Sequence, residues 1–425
     1  MRSSLRLFGI GFWSMLCFMT AAASPSKGQV PTLLHSFTGG SDGSGPVSTL
    51  IRDGAGNLYG ATFSGGGHGG FGQGSGTVFQ LARDANGGWS ERILYRFNGS
   101  SDGLNPYGAL LLDGKGNLYG TTLGGGTHNL GTVYKLTPPT SHGGAWTEKV
   151  LYSFAGGNDG EAPYAGVIAD AKGNLYGTTS GGGGTNSGTV FKLSPNGPSG
   201  WTESVLYTFG FLSGEGPYCR LVMDKNGNLY GTTFRGGNND GGTVFELSLV
   251  AGGWNITFIH HFANLFGGNG DGSEPFAGVI IDGSGNLYGT TLGGGTYSVG
   301  VVFELSPLQG GWQEQVLHSF AGNSDGFFPY GILAFGPSNS LYGTTEFGGG
   351  LGQCVYHTLA YCGTVFKMTR SGSNWSESTY LSFDGTGPFG FSPVAGVLVN
   401  TDGTFYVTPD VGGTNDDGTI LAIAP

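Results

Sequence analysis

The phrase Asn-Leu-Tyr-Gly-Thr-Thr, or a close variant, recurs seven times in this chain, its tyrosine falling at Tyr59, Tyr119, Tyr176, Tyr230, Tyr288, Tyr342 and Tyr406. A period of 54 to 64 residues is too short for a domain and too long for a solenoid coil. It suits small sheets stacked or arranged radially. The third copy shows how one unit folds. Pro163 to Asp170 reads as a strand, Lys172-Gly173 as a hairpin turn, and Asn174 to Thr179 as the return strand. A glycine-rich stretch, Gly181 to Gly184, leads to a third strand, Gly188 to Leu193, and a fourth runs from Trp201 to Phe209. Four short antiparallel strands make a propeller blade. Apolar residues at helical spacing are missing from the chain after its first segment, and Gly or Pro interrupts nearly every ten residues.

The two ends specify the topology further. Leu33 to Phe37 matches the fourth strand of a unit, whereas Gly418 to Ile423 matches the third. Together they complete one blade. The sequence therefore predicts an all-β, seven-bladed propeller of four-stranded antiparallel blades, closed by the N-terminal strand pairing into the last blade. Such closure removes exposed sheet edges. An open β-solenoid is the alternative, and it has no need of complementary half-units at its ends.

Glycine, at 89 residues, is about three times its usual share. It lacks a strict Gly-x-y period, and regular Val, Ile, Leu, Phe and Tyr separate the glycines, so the composition reads as turn material between many short strands. Charged residues are 11% of the chain and the net charge is −11. That balance, with no basic cluster beyond the first residues, argues against nucleic acid or an anionic membrane as partner. Arg2 and Arg6 precede an apolar run from Leu7 to Met19 and the small residues Ala21-Ala22-Ala23. This is the pattern of a signal peptide, residues 1–23, with one propeller domain over 24–425. The run is shorter than the ~20 apolar residues of a membrane span. Losing both arginines takes the formal charge from −11 to −13, giving an acidic exported protein, extracellular or periplasmic and expected to be monomeric. In an exported chain Cys354 and Cys362, which bracket an insertion found in one repeat only, are expected to form a disulfide. Cys219 occupies the place of Ala165 and Ala277 and reads as a buried free thiol.

The Gly-Asn-Leu-Tyr-Gly-Thr-Thr, Gly-Gly-Gly and Gly-Thr-Val-Phe phrases resemble the GloVer tandem repeat of exported bacterial proteins, and the resemblance extends over essentially the whole chain after residue 23. It implies export, and it carries no particular enzymatic activity. Family members often bear a C-terminal sorting or anchor segment. This sequence has no apolar tail before Pro425, which weakens the expectation of surface anchoring.

Two loops of each blade are expected on one face, around the central channel. The loop between blades carries an acid in a glycine-rich turn: Asp42, Asp102, Asp159, Glu215, Asp271, Asp325 and Asp384. If these pointed inward they would form a carboxylate ring for Ca2+ or sugar hydroxyls. The simpler reading is that each caps its own turn. The repeated Tyr and the tryptophans Trp89, Trp146, Trp201, Trp254, Trp312 and Trp375 read as packing between blades. Departures from the repeat are the better binding candidates: Phe63, His68 and Phe71 in the first glycine-rich loop, His128 in the second, Arg235, Asn238 and Asn239 in the fourth, and Tyr297 in the fifth. Tyr356, His357 and Tyr361 in the sixth and Asn415 in the seventh complete the set. Rings and amides at one mouth suit a glycan. His260-His261 lies along a strand, where the two rings face opposite ways and do not chelate one metal. No catalytic motif or phosphate loop is present. The sequence thus predicts a secreted binding protein for carbohydrate or another surface polymer. The alternatives are a polysaccharide lyase or hydrolase using a carboxylate-lined mouth and a structural envelope protein.

Overall fold

The structure is a computed structural model that describes residues 30–67, 74–84, 87–141, 143–197, 200–263, 270–350, 355–356, 359–360, 362–385 and 387–425. The predicted leader, His68, Phe71, Cys354, His357 and Tyr361 lie outside the described residues. Seven four-stranded antiparallel sheets form the blades. Blade 3 is typical: Ile168–Ala169, Leu175–Thr179, Thr189–Asn196 and Gly200–Thr208, paired in chain order. Blade 7 is built from Leu398–Val399, Phe405–Val407 and Thr419–Ile423, with Thr32–Ser36 as its outer strand. The N-terminal strand pairs with the C-terminal one through Thr32 opposite Ala422 and Ser36 opposite Thr419. The described residues contain no α-helix, only two 3-10 turns, and no helix long and apolar enough to cross a membrane.

The repeated phrase is explained residue by residue. In the hairpin preceding it, Asp170 accepts hydrogen bonds from the Asn174 amide (2.9 Å), the Asn174 side chain (2.6 Å) and the Tyr176 hydroxyl (3.1 Å). Asp53, Asp113, Asp224 and Asp282 do the same for their own Asn and Tyr. The Leu is core. The glycine stands directly opposite the aromatic residue of the third strand, as Gly177 does Phe191. A Cβ on Gly177 would lie 2.6 Å from the ring's Cζ. The final threonine shares a 2.8 Å hydrogen bond with the third strand's first threonine, Thr179 with Thr189. The threonine before it reaches the next blade: Thr178 Oγ1 donates to the Cys219 carbonyl at 2.8 Å, and Thr121 and Thr232 act alike toward Ala165 and Ala277.

Seven buried apolar clusters hold the ring, one between each adjacent pair of blades. Tyr59, Val78 and Phe97 of blade 1 pack on Leu110, Leu118 and Tyr134 of blade 2, and the pair 7/1 is built alike from Phe37, Tyr406 and Ile420 against Leu50, Leu58 and Phe79. The apolar packing of the last seam matches that of the others. Trp89, Trp254, Trp312 and Trp375 set their edges against Tyr406, Tyr176, Tyr230 and Tyr288 of the preceding blade, with centroids 6.0–6.3 Å apart. Cys219 is a buried free thiol, pushed up to about 11 by burial, with Sγ accepting from the Thr232 amide.

One element departs from expectation. The first strand, predicted over most of Pro163 to Asp170, pairs with its hairpin partner only at Ile168–Ala169. Near the axis the blades converge, and the segment turns to its neighbours instead: a Cβ on Gly166 would meet the Ala109 carbonyl oxygen at 1.9 Å.

Replacing Gly177 by Val should lower stability by about 1–3 kcal/mol through overpacking against Phe191. Adding Phe191→Leu should recover much of the loss, because blade 7 already pairs Val407 with Leu421 at this position. Urea unfolding of both single variants and the double variant measures the coupling.

Candidate functional site

The glycine-rich loop of each blade lies beside the inter-blade loop, joined by short bridges such as Ser44–Ser64, Glu161–Gly181 and Glu215–Arg235. Both loops therefore open on one face. The inter-blade acids do not gather at the channel, however. They lie between outer strands at the seams. Asp102 accepts from the Tyr95 hydroxyl and the Asn98 amide, each at 2.9 Å. Asp42, Asp159, Asp271 and Asp325 accept from the amides of Thr38, Ala155, Ala263 and Ala321. Glu215 instead accepts from Ser187 Oγ at 3.3 Å, and Asp384 is exposed. A single cation held by the whole set is not built. Beside several of these acids stands a glutamate from the next blade. Burial, reinforced by Asp102 and Asp159, pushes Glu148 and Glu203 up to about 7.

The decorated loops are scattered around the same face. His128, Asn238, Asn239 and Asn415 are exposed, as is Tyr297 at 59%. The Asn238 amide donates to His261 Nδ1 at 3.2 Å, while His260 turns to Asp271. The insertion in blade 6 forms its own hairpin, Val355–Tyr356 with Leu359–Ala360. Among the described candidates, Phe63 and Arg235 reach the mouth region. The Phe63 ring lies 6.1 Å from Tyr107, and Arg235 sits over Phe234 while pairing with Glu274 at 3.0 Å. A surface pocket of about 460 Å3 lies there between blades 3 and 4, lined by Tyr218, Phe234, Arg235, Glu215, Asn186 and Ser180, among others.

The channel itself is closed by an aromatic collar. The residues that follow proline at the start of the inner strands, Tyr107, Tyr164, Tyr218, Phe276 and Tyr330, pack ring to ring with centroids 4.1–5.3 Å apart. Burial holds the Tyr107, Tyr164 and Tyr330 hydroxyls above the usual phenol range. A cavity of about 100 Å3 within the collar holds one charged side chain, Arg220. Its Nε is sealed from solvent without a hydrogen-bond partner, and burial lowers its affinity for its proton.

Two carboxyls at the collar escaped the sequence reading. The residue after the second strand donates its amide to the residue preceding the inner-strand proline, and in blades 1 to 5 it is Phe63, Leu123, Ser180, Phe234 and Leu292. In blades 6 and 7 it is Glu346 and Asp410. Burial pushes Glu346 up to about 7; burial and then the nearby Glu346 charge do the same to Asp410, against a Ser392 hydrogen bond. Asp410 is half-buried, with Oδ1 sealed and unpartnered. Aligning the seven copies one residue past Thr-Thr would have exposed both acids.

A ring of seven alike blades around a plugged channel defines a closed β-propeller built from one repeated unit. The chain belongs to the Gloeobacter/Verrucomicrobia repeat family, whose model matches residues 22–210, 68–269, 197–358 and 253–425. No curated protein matches the sequence. Among solved structures, an ancestral GH74 enzyme is similar with a TM-score of 0.56 at 12% identity, over 90% of this chain and 48% of that one. This chain thus spans about half its length. A Thermus thermophilus protein assigned as an oxidoreductase (glucose dehydrogenase) is similar with a TM-score of 0.41 at 17% identity, over 91% of this chain and 98% of that one. At 12% identity the likeness to the GH74 enzyme concerns the fold alone.

The seam carboxyls set a pH dependence. Glu148 and Glu203 hold protons more tightly folded than unfolded, so folding takes up protons between pH 4.5 and about 7. Their contribution is full below that window and is lost as pH rises through it. Asp53, Asp113 and Asp170 have the opposite sign: burial opposes ionisation, but hydrogen bonds from their Asn and Tyr partners hold them below 3.8. Their contribution is lost at more acid pH. The melting temperature, measured in chelator, should therefore peak near pH 4–5 and decline toward pH 8. Glu148→Gln should flatten that decline and raise the value at pH 8 by about 1–2 °C.

Proposed function

We propose that this protein is an exported, monomeric propeller that binds a neutral, hydroxyl-rich polymer, a glycan, on its glycine-rich loop face. The observation that carries the reading is the pocket between blades 3 and 4. It offers two rings, Tyr218 and Phe234, beside the Asn186 amide, the Ser180 hydroxyl and the opposite charges of Glu215 and Arg235. Rings take the apolar faces of sugars, while amide and charged groups take their hydroxyls. The acidic surface, with 28 carboxylate residues against 17 Lys and Arg, suits a ligand without phosphates or sulfates. A Cys354–Cys362 bond stiffening the blade 6 insertion belongs to the same reading of an exported chain.

A second reading rests on Glu346 and Asp410. Two carboxyls on adjacent blades, both pushed up to about 7, can divide into a proton donor and a proton acceptor near neutral pH, as glycosidic cleavage requires. Tyrosine hydroxyls stand beside them.

A glycan array with product analysis, run with calcium and with chelator, separates these readings. Binding without turnover, weakened about tenfold or more (~1.4 kcal/mol) by Phe234→Ala or Arg235→Ala, supports the binding site. Cleaved product that disappears in Glu346→Gln and Asp410→Asn supports the enzyme. Silence on every glycan removes both. Intact mass under non-reducing conditions should be lower than the reduced mass by two hydrogens, and this difference should vanish in Cys362→Ser.

A further inference from the structure

The seams between blades are not all alike, and the difference is chemical. The outer-strand residue at one register of each seam is tyrosine in some blades, Tyr95 and Tyr152 for example, histidine in others, His35, His260 and His318, and leucine, Leu381, in blade 6. At a tyrosine seam the phenol satisfies the inter-blade acid, Tyr95 donating to Asp102 at 2.9 Å. At two histidine seams the next blade's glutamate closes in as a third group. His35 Nε2 lies 3.7 Å from both Asp42 Oδ2 and Glu91 Oε1. His260 Nε2 lies 3.3 Å from Asp271 Oδ2, with Glu314 alongside. Within each trio the donor atoms all fall within 4.8 Å of one another.

We propose that His35–Asp42–Glu91, between blades 7 and 1, and His260–Asp271–Glu314, between blades 4 and 5, are binding sites for a divalent transition metal of the zinc type. Ligands about 2.0–2.2 Å from a tetrahedral ion stand about 3.3–3.6 Å apart, so the trios need little closure. His35 Nε2, Glu91 Oε1 and Glu314 Oε1 are sealed from solvent without hydrogen-bond partners, an arrangement that is costly unless something supplies the missing contact. One imidazole and two carboxylates neutralise a dication and, through the nitrogen, favour zinc-like ions over calcium. Side chains 20%, 12% and 13% exposed at the first site leave a way in for the ion and for a water ligand. The nearby cation Arg96 is turned to the Ser41 carbonyl, with Nε at 2.8 Å. His261 faces away from the second site, accepting from the Asn238 amide. At the third histidine seam His318 hydrogen-bonds Asp325 at 3.2 Å, and Glu377 does not join them in a comparable trio.

The first site bridges the closing N-terminal strand to blade 1, so metal there would staple the ring at the seam where the chain begins. The test uses the untagged chain, stripped by chelator and titrated with Zn2+ by calorimetry and with Co2+ by visible absorption. The expected result is two equivalents per chain, with a higher melting temperature in zinc. His35→Tyr and His260→Tyr should each lose one equivalent, and the double variant both, while remaining folded because tyrosine already occupies this position at Tyr95 and Tyr152. Equal metal uptake by wild type and double variant, or none by wild type, would overturn the proposal.

Discussion

In six of the seven blades an aromatic ring of the third strand rests on a glycine of the second, in the space a side chain would otherwise take. Gly60 carries Phe79, Gly120 carries Tyr134, and the pattern continues through Gly343 and Phe366. Glycine inside a strand ordinarily weakens it, and an aromatic cross-strand partner compensates. The ring fills the blade from within, so the faces left over are flat enough for Tyr and Trp of adjoining blades to meet. Blade 7 fills the same place with two aliphatic side chains, Val407 against Leu421. The position therefore requires a pair that fills the space between the strands rather than two fixed residue types.

From that filling follows the division of labour between repeated and unrepeated residues. Asn, Leu, Tyr, Gly and both threonines of the motif are each occupied in a turn, a core or a contact between blades. Little of the motif remains for a ligand. What differs between blades is concentrated on one face and around the axis: Arg220 where other inner strands have Gly, Ala, Thr or Ile, and Glu346 and Asp410 where other blades have Phe, Leu or Ser. Sevenfold regularity builds the frame, and its breaches give the frame a front.

The frame was legible because it is written seven times. Blade count, strand number and closure through Thr32–Ser36 all follow from matching one unit to the next, and the Tyr–Trp contacts followed from their position in it. The inner strands were overextended because sequence reports strand propensity, whereas crowding at the axis decides which strand a backbone group reaches. The acids Asp42 to Asp325 share a motif but not a common centre, since the motif fixes each one's distance from its own turn and not its direction relative to the axis. Glu346 and Asp410 sit in a slot that carries no repeated letter, so only a column-by-column comparison of the copies would have drawn attention to them.

The outer strand of blade 7 is the first strand among the described residues, yet its ladder partner, Thr419–Ile423, lies almost at the other end. Made or threaded from its N-terminus, the chain can finish six blades in order while Thr32–Ser36 waits without a partner. Until the last strand arrives the ring stays open, with one face of blade 1 incompletely covered. Completion is thus a single late event, and a chain cut short anywhere in its final repeat forfeits the closure of the whole ring along with its last blade.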